Sequence, residues 1–323
     1  MKKIGVFTSG GDSPGMNAAI RAVVRTCAFH NIETYGIYEG YNGLISNEIK
    51  LLKSTDVSNI IQRGGTILRS SRSKGFRTAE GRKKAFENIQ KIGLDGIIAI
   101  GGDGTFTGAN IFNKEYNIPF IGIPGTIDND LFGTDNTIGY DTALNTIVEA
   151  VDKIRDTASS HNRIFLVEVM GRDAGFLALR SGISVGAEAI LIPETHTYIN
   201  ELINKLTSEN KHHKKSMIVI VAEGDNAGGA NEVAEKIKQL CPNFDTRVTI
   251  LGHIQRGGNP SAADRVLASH LGNAAVEALL DNKTNLMVGN INKKIVFTSF
   301  ENAIKHHNKI NGDLVHLADI LAH

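Results

Sequence analysis

Three short stretches of the chain combine glycine with aspartate: TSGGDSPG (8–15), IGGDGTFTG (100–108) and PGTIDND (124–130). Glycines such as Gly10 and Gly11, placed just before a helix, let backbone amides approach an anion closely, and the helix dipole favours that anion. In the second stretch Asp103 stands where the metal ion of a bound polyphosphate would lie. A carboxylate beside a phosphate requires a cation between them, and Mg²⁺ is the simplest choice. A tight strand-to-helix turn is the alternative for the first of these loops taken alone.

Several cations occur in glycine-flanked loops elsewhere in the sequence. They are Arg72 and Arg77 in SSRSKGFR, Arg163 in SSHNR, Arg172 in MGRDAG, Arg247 in DTRVT, and His253 with Arg256 in GHIQRGG. A single arginine is more often a solvated surface residue. Because guanidinium groups bind phosphate in bidentate fashion, two phosphate-bearing ligands would account for the whole set.

Several familiar phosphate-site motifs are missing from the sequence. There is no G-x-x-x-x-G-K-[ST] loop, no G-x-G-x-x-G fingerprint and no protein-kinase catalytic set, which argues against those folds. The adjacent His212 and His213 in SENKHHKKS could bind a metal, but a solvated loop is the usual reading of such a stretch.

Composition excludes other classes of partner. The 323 residues have a formal net charge of +1, so no overall field steers the chain toward nucleic acid or a membrane surface. Cys27 and Cys241 form neither a C-x-x-C pair nor a disulfide framework, which fits a reducing cytoplasm. The first apolar run is too short for a signal peptide, and no later run could span a membrane.

The elements that must position these loops follow one repeated pattern. A short apolar run precedes each loop in KIGVFTSGGD, DGIIAIGGDGT, PFIGIPGTIDND, NRIFLVEVMGRDAG, SMIVIVAEGD and TRVTILGHIQRGG. Runs of this kind, alternating with helical segments such as SPGMNAAIRAVVRTCAF and TIGYDTALNTIVEAVDKIRD, predict an α/β protein with parallel sheets. Ligands of such sheets bind beyond the carboxyl ends of the strands, so we expect the loops to converge on a cleft.

The sequence resembles the ATP-dependent 6-phosphofructokinases of the short bacterial type. Six stretches carry this resemblance together and in this order: TSGGDSPGMNAAIR, IGGDGT, PGTIDND, SSHNR, MGRDAG and LGHIQRGG. The resemblance covers essentially the whole chain. It implies transfer of the γ-phosphoryl of ATP to the 1-hydroxyl of fructose 6-phosphate, in a cytoplasmic homotetramer. It also implies two Rossmann-like α/β/α domains with mainly parallel sheets. One would comprise residues 1–139 and 252–305, and the other residues 140–251 and 306–323.

The resemblance assigns roles residue by residue. Asp128 would be the base, Asp103 and Asp130 would position Mg²⁺, and Thr126 would touch the transferring phosphoryl group. Gly11 and Arg72 would hold the ATP phosphates, and Arg172 would lie near the reaction centre. The nucleotide would be surrounded by Tyr41, Ser73, Arg77, Gly102, Gly104, Thr105 and Gly108. The sugar phosphate would be bound by Met170, Gly171, Glu223, His253 and Arg256, with Arg163 and Arg247 reaching it from a neighbouring subunit.

The two carboxylates of PGTIDND fit this reaction physically. In an extended Asp-Asn-Asp segment, alternate residues point in opposite directions, so Asp128 could face the acceptor hydroxyl while Asp130 faces the metal. An ordinary aspartate, with a pKa of roughly 3.9, is a weak base that captures the proton late in the transfer. The alternative explanation of PGTIDND is a turn rich in Asp and Asn. Such a turn would not explain why arginines occur in so many of the other loops.

Two rival functions share the fold. Pyrophosphate-dependent phosphofructokinases usually carry Asp and Lys where this chain has Gly104 and Gly125; small residues leave room for the whole of ATP. A non-catalytic sugar-phosphate sensor would gain nothing from three carboxylates in the cleft. Both sequence features therefore favour the ATP-dependent kinase.

A second phosphate site is also implied by the resemblance, for ADP as activator or phosphoenolpyruvate as inhibitor. Arg21, Arg25, Arg155, Gly186, Glu188 and Lys214 match it. Ser54, Thr55, Asn59 and His212 depart from the residues common at that site, although Lys53 could replace a missing arginine. We therefore expect ADP and phosphoenolpyruvate to be weak effectors.

Overall fold

A computed structural model of the chain describes residues 1–158, 163–207, 216–242 and 244–322. The chain divides into two compact units. Unit 1 comprises 1–127, 131–142 and 256–308, and unit 2 comprises 128–130, 143–255 and 309–323. This division into units does not test the domain boundaries implied by the family resemblance, and those boundaries remain an expectation.

The strands, in chain order, are β1 (Lys3–Thr8), β2 (Glu33–Ile37), β3 (Ile49–Leu52), β4 (Gly96–Gly101), β5 (Phe120–Pro124), β6 (Arg163–Val169), β7 (Ala189–Leu191), β8 (Ser216–Ala222), β9 (Asp245–Ile250), β10 (Leu286–Ile291) and β11 (Lys294–Ser299). The helices are α1 (Met16–Phe29), α2 (Tyr41–Ser46), α3 (Ala79–Ile92), α4 (Asp103–Tyr116), α5 (Tyr140–Ala158), α6 (Phe176–Ser184), α7 (Ile199–Thr207), α8 (Ala230–Leu240), α9 (Ala262–Leu280), α10 (Phe300–Lys305) and α11 (Gly312–Leu321).

Unit 1 is built on a sheet whose described strands number seven, in the order β11-β10-β5-β4-β1-β2-β3. Its central strands are parallel, and their apolar residues are buried on both faces. Val6 and Ile98 pack toward α1 and α9, while Phe7 and Ala99 pack on the opposite face against residues of α4 and α10. The two layers of helices explain why β1, β4 and β5 read as continuous apolar runs rather than as alternating ones.

Unit 2 contains, among the described residues, a four-stranded parallel sheet in the order β7-β8-β6-β9. β6 and β8 lie inside this sheet and carry buried residues such as Leu166 and Val219. β9 is an edge strand, with Ile250 about half exposed. The loops after β6, β8 and β9 follow neighbouring strands and therefore leave the sheet at the same edge.

The α/β fold class and the mainly parallel sheets predicted from the sequence are confirmed. All six predicted strands exist, and the segment after Pro14 forms α1, which begins at Met16. Within the described parts of the chain no helix has the length and apolar character that a membrane crossing requires. Cys27 and Cys241 are both free thiols.

Candidate active site

Three neighbouring strands of unit 1 deliver the glycine-rich loops to one edge of the sheet. β4 pairs with β1 in the register Thr8↔Ile100, and with β5 in the register Gly101↔Pro124. Since the strands are parallel and in step, the loops that follow them start side by side. This arrangement confirms that the loops of SGGD and GGDG come together within unit 1.

The loop after β1 is packed closely against an arginine from a distant part of the sequence. Arg256 Nη1 donates a hydrogen bond to the Asp12 carbonyl oxygen at 3.1 Å. A Cβ atom at position 11 would lie 2.6 Å from the same Nη1, so only Gly11 allows the guanidinium to sit there. The structure thus places Arg256, predicted to bind sugar phosphate, directly on a loop predicted to bind ATP phosphates.

The loop after β4 leads directly into α4. Gly102 is the N-cap residue and, having no side chain, provides no side-chain cap to the first turn of the helix. Asp103 is the first residue of α4, and His307 Nδ1 lies 4.0 Å from its carboxylate. A carboxylate oxygen is a hard ligand that suits a divalent cation, and Asp103 belongs to unit 1 whereas Asp130 belongs to unit 2.

Gly104 and Gly108, one turn apart on α4, differ in their surroundings. Among the described residues, a Cβ atom at Gly104 would meet no heavy atom within 4 Å, whereas one at Gly108 would lie 2.9 Å from the ring of Tyr41. Tyr41 is buried and its hydroxyl donates to the Thr105 carbonyl oxygen at 2.5 Å. Burial raises the pKa of the Tyr41 phenol, so this ring packs in the protein core as a neutral donor.

The remaining nucleotide-site candidates lie on the segment after β3. Arg72 and Arg77 are exposed, and Ser73 accepts a hydrogen bond from the Phe76 amide at 3.1 Å. Their roles toward ATP remain predictions.

Two predicted site residues in the loop after β5 are buried. Thr126 is 8% and Asp128 2% exposed, and the Arg172 Nε atom lies 3.6 Å from the Asp128 carboxylate within unit 2. The prediction of an extended Asp-Asn-Asp is wrong, because Asn129 adopts a left-handed conformation with φ of 54°. Asparagine tolerates this region better than most residues. The left-handed backbone at Asn129, rather than strand alternation, therefore sets the directions of the two aspartates.

A turn after β6 presents Arg172 in unit 2. Arg172 itself has φ of 54°, and a Cβ atom at Gly171 would collide with the Ala174 carbonyl oxygen. Glu223, which follows β8, accepts hydrogen bonds through Oε1 from the amides of Gly171 (3.3 Å) and Arg172 (2.8 Å). The sequence predicts Glu223 as a sugar ligand, and this role remains a prediction; in the structure its carboxylate fixes the turn of Arg172.

Gln255 was not identified from the sequence. This residue is fully buried; its side-chain oxygen accepts from the Met170 amide at 3.2 Å, and its Nε2 donates to the Gly252 carbonyl oxygen at 3.0 Å. It therefore joins the loop after β6 to the 3-10 helix Gly252–Arg256 that carries the exposed His253. Its position within the GHIQRGG stretch, between His253 and Arg256, is the sequence feature that could have indicated a role at the site.

Arg163 and Arg247 share one carboxylate at the edge formed by β6 and β9. Asp245 accepts from Arg163 Nε at 2.7 Å through Oδ2, and its Oδ1 lies 2.6 Å from Arg247 Nη1. Ile250 and Ile254 nearby in sequence are 51% and 56% exposed, which is unusual for isoleucine. Two guanidinium groups paired to one carboxylate, together with exposed apolar residues, thus occupy this part of unit 2.

The residues matched to a second phosphate site fall in both units. Arg21 and Arg25 lie one turn apart on α1 in unit 1, where burial and the charge of Arg25 lower the pKa of the Arg21 guanidinium. In unit 2, Arg155 donates to the Val185 carbonyl oxygen at 2.5 Å.

Two further members of that set, Gly186 and Glu188, follow α6 in unit 2. Arg155 Nη2 is 3.4 Å from the Gly186 carbonyl oxygen, and the buried Glu188 accepts from the Ile218 amide at 2.6 Å. Lys214, like His212 and His213, lies outside the described residues. Binding of an effector remains a prediction.

The sequence profile of the family described as phosphofructokinase matches residues 3–279, most of the chain. The chain belongs to the phosphofructokinase family. Among curated relatives, ATP-dependent 6-phosphofructokinase of Cytophaga hutchinsonii is 58% identical, over 99% of this chain and 98% of the relative. ATP-dependent 6-phosphofructokinase 1 of Thermus thermophilus is 52% identical over the full length of both chains.

Solved structures agree with this phosphofructokinase fold. Phosphofructokinase from Saccharomyces cerevisiae superposes with a TM-score of 0.90 at 40% identity, covering 94% of this chain and 45% of the yeast chain. The present chain thus spans less than half the length of the yeast protein. A pyrophosphate-dependent phosphofructokinase from Marinobacter aquaeolei, at 22% identity and a TM-score of 0.82, covers 96% of this chain and 86% of that one, and shows the fold alone.

Proposed function

We propose that this chain transfers the γ-phosphoryl group of MgATP to the 1-hydroxyl of fructose 6-phosphate, which yields ADP and fructose 1,6-bisphosphate and commits the sugar to glycolysis. The observation that carries the proposal is the buried Asp128 with the Arg172 guanidinium at 3.6 Å, in a chain 58% identical over its length to a named ATP-dependent relative. Because both substrates are intracellular metabolites, a cytoplasmic location is part of the proposal.

Phosphoryl transfer of this kind needs alignment and charge neutralisation more than covalent chemistry. Asp128 would take the proton of the sugar hydroxyl as the transfer proceeds, while Arg172 would offset negative charge at the same place. The amides at the start of α4 and of the Gly10–Gly11 loop would hold the ATP phosphates. Asp103 and Asp130 would hold Mg²⁺, which when bound neutralises phosphate charge and fixes the orientation of ATP.

Gly104 supports ATP over pyrophosphate as the phosphoryl donor. The space beside it is open, and it is exposed at the start of α4. A Cβ atom at Gly125, in contrast, would lie 3.1 Å from Ile100 and 3.2 Å from Met16, so a lysine there would require repacking. Neither position carries the side chain usual in pyrophosphate-dependent relatives.

The exposed edge of unit 2 supports assembly into a homotetramer with shared sites. Asp245 pairs with both arginines, whose side chains remain 29% (Arg163) and 51% (Arg247) exposed, and Ile250 and Ile254 provide apolar surface nearby in sequence. In this proposal both arginines reach the sugar phosphate bound by a neighbouring subunit.

Substitution of Asp128 by asparagine tests the proposed base. Asp128→Asn keeps the size of the side chain, so binding of both substrates and the melting temperature should change little, while kcat should fall by about 100-fold or more. Asp173→Asn is the matched control, since it removes a charge from an exposed residue next to Arg172. A protein with Asp128→Asn that retains more than about a tenth of wild-type kcat would refute the assignment.

A further inference from the structure

We propose that Asp264 is a positioning residue for phosphoryl transfer: its buried carboxylate fixes residues 137–139, and this segment holds the backbone of Thr126 at the start of the catalytic loop. The inference rests on the proposed function for its kinetic consequence. All of the contacts that carry it lie within unit 1.

Three donors converge on the Asp264 carboxylate, which is 1% exposed. Oδ1 accepts from the Gly139 amide at 2.8 Å. Oδ2 accepts from the Thr142 amide at 2.8 Å and from the Thr142 hydroxyl at 2.5 Å. Amides in the first turn of a helix have no partner within it, so Asp264, a residue of α9, caps the start of α5.

A second set of contacts joins the same two helix starts. The Ser261 amide donates to the Thr142 hydroxyl at 2.9 Å, which leaves the hydroxyl proton for Asp264. The Ser261 hydroxyl donates to Asp141 Oδ2 at 2.5 Å. Ser261 begins α9 shortly after Arg256, which bonds to the loop after β1. The Ser261 amide, through its bond to the Thr142 hydroxyl, therefore ties the segment that carries Arg256 to the start of α5, and this backbone contact does not need the Ser261 side chain.

Residues next to Gly139 carry this restraint to the catalytic loop. Ile138 pairs with Gly125, and its amide donates to the Pro124 carbonyl oxygen at 2.9 Å. The Thr137 hydroxyl donates to the Thr126 carbonyl oxygen at 2.6 Å. A shift of Gly139 would thus move Thr137, which binds the Thr126 carbonyl oxygen. Thr126 lies two residues before Asp128.

The loop after β1 leaves this segment little room to move. A Cβ atom at Gly139 would lie 2.6 Å from the Ser13 Cβ atom, and a Cβ atom at Gly15 would lie 2.6 Å from Ile138 Cγ2. Close packing of this kind transmits displacement instead of absorbing it. Asp264 therefore fixes the phosphate loop and the catalytic loop to a common frame.

The competing explanation is that Asp264 is only a helix cap, which would affect stability and leave the chemical step unchanged. Asp264→Asn separates the two, since an amide offers one oxygen where three donors converge and turns an NH₂ group toward at least one of them. Positioning predicts a fall in kcat of about tenfold or more, with KM for ATP and fructose 6-phosphate changed less than about threefold.

Ser261→Ala is the matched control. It removes the side-chain cap of α9 and the bond to Asp141 but leaves all three donors to Asp264 in place. We expect a lower melting temperature with kcat within about twofold of wild type. Amide hydrogen exchange supplies a readout that does not depend on activity: exchange across residues 125–139 should rise in Asp264→Asn and not in Ser261→Ala.

The wild-type enzyme is assayed first, so that the two proposals fail separately. A wild type without ATP-dependent phosphorylation of fructose 6-phosphate refutes the proposed function, and the exchange experiment then decides the role of Asp264. With an active wild type, a kcat of Asp264→Asn above half the wild-type value, or unchanged exchange, overturns the positioning role. If Asp264→Asn does not fold, Thr142→Val decides: we expect kcat to fall severalfold, and a wild-type kcat overturns the proposal.

Discussion

Replacing Gly104 by aspartate should selectively weaken the use of ATP. Gly104 lies in the first turn of α4, its φ is not in the left-handed region, and a Cβ atom there would meet nothing within 4 Å. The new side chain can therefore be accommodated without strain. A carboxylate in the first turn of a helix also interacts favourably with the helix dipole, so the melting temperature should stay the same or rise slightly.

The expected loss follows from charge repulsion with the phosphates of the nucleotide. Two like charges about 5 Å apart repel by about 3 kcal/mol at an effective dielectric constant of about 20, and by about 1 kcal/mol in bulk water. Since Gly104 is exposed, the true value lies between these limits. The corresponding loss of kcat/KM for ATP is between about fivefold and about 200-fold.

Steady-state kinetics with ATP varied at saturating fructose 6-phosphate measures this loss. Gly104→Asn is the control, because it adds nearly the same volume without the charge and should lose much less. The KM for fructose 6-phosphate should stay near that of wild type in both proteins. A folded Gly104→Asp with kcat/KM for ATP within twofold of wild type would show that the nucleotide does not pass this position, and the reasoning would fail.

Three further predictions address assembly, regulation and stability. Mixing inactive Arg163→Ala subunits with inactive Asp128→Asn subunits should restore some activity, because shared sites leave some of them intact; confirmed hybrids without recovery would place both groups in one subunit. Phosphoenolpyruvate should inhibit weakly and ADP activate weakly at sub-saturating fructose 6-phosphate, since Ser54 stands where an arginine is common and His212 where a lysine is common; strong inhibition at low micromolar phosphoenolpyruvate would overturn this. Burial raises the pKa of the Cys27 thiol from 9.0 to about 11, so the folded state holds a proton that the unfolded state loses, and the melting-temperature difference between wild type and Cys27→Ala should shrink as pH rises from 9.0 to about 11. In the native protein a thiol reagent should label Cys241 and not Cys27; fast labelling of Cys27 or a pH-independent difference would contradict the shift.

The sequence carries the fold class because the buried parallel strands leave a strong signal. Ile97–Ile100 and Val219–Val221 are buried on both faces of their sheets, so nearly every residue had to be apolar. The two edge strands of the unit 1 sheet leave a weaker signal in the sequence. β3 and β11 pair antiparallel at the ends of the unit 1 sheet and are only partly buried, and neither was predicted.

Parts of the candidate site depend on contacts between distant segments, which no local pattern reveals. Asp264 meets Gly139 across 125 positions of sequence, and Gln255 meets Met170 across 85. The conformation of Asn129 is likewise imposed by the fold, since the residue types alone were equally compatible with an extended segment. Residue types predict which groups would do the chemistry, and the long-range contacts determine how those side chains are held.

Comparison of phosphoryl donors tests the central proposal most directly. The purified wild-type protein is incubated with fructose 6-phosphate, Mg²⁺ and either ATP or pyrophosphate, and products are followed by ³¹P NMR. We expect ATP to yield ADP and a sugar with a second phosphate on carbon 1 in equal amounts, and pyrophosphate to yield no bisphosphate. Comparable turnover with pyrophosphate, or binding of fructose 6-phosphate without any transfer from ATP, would contradict it.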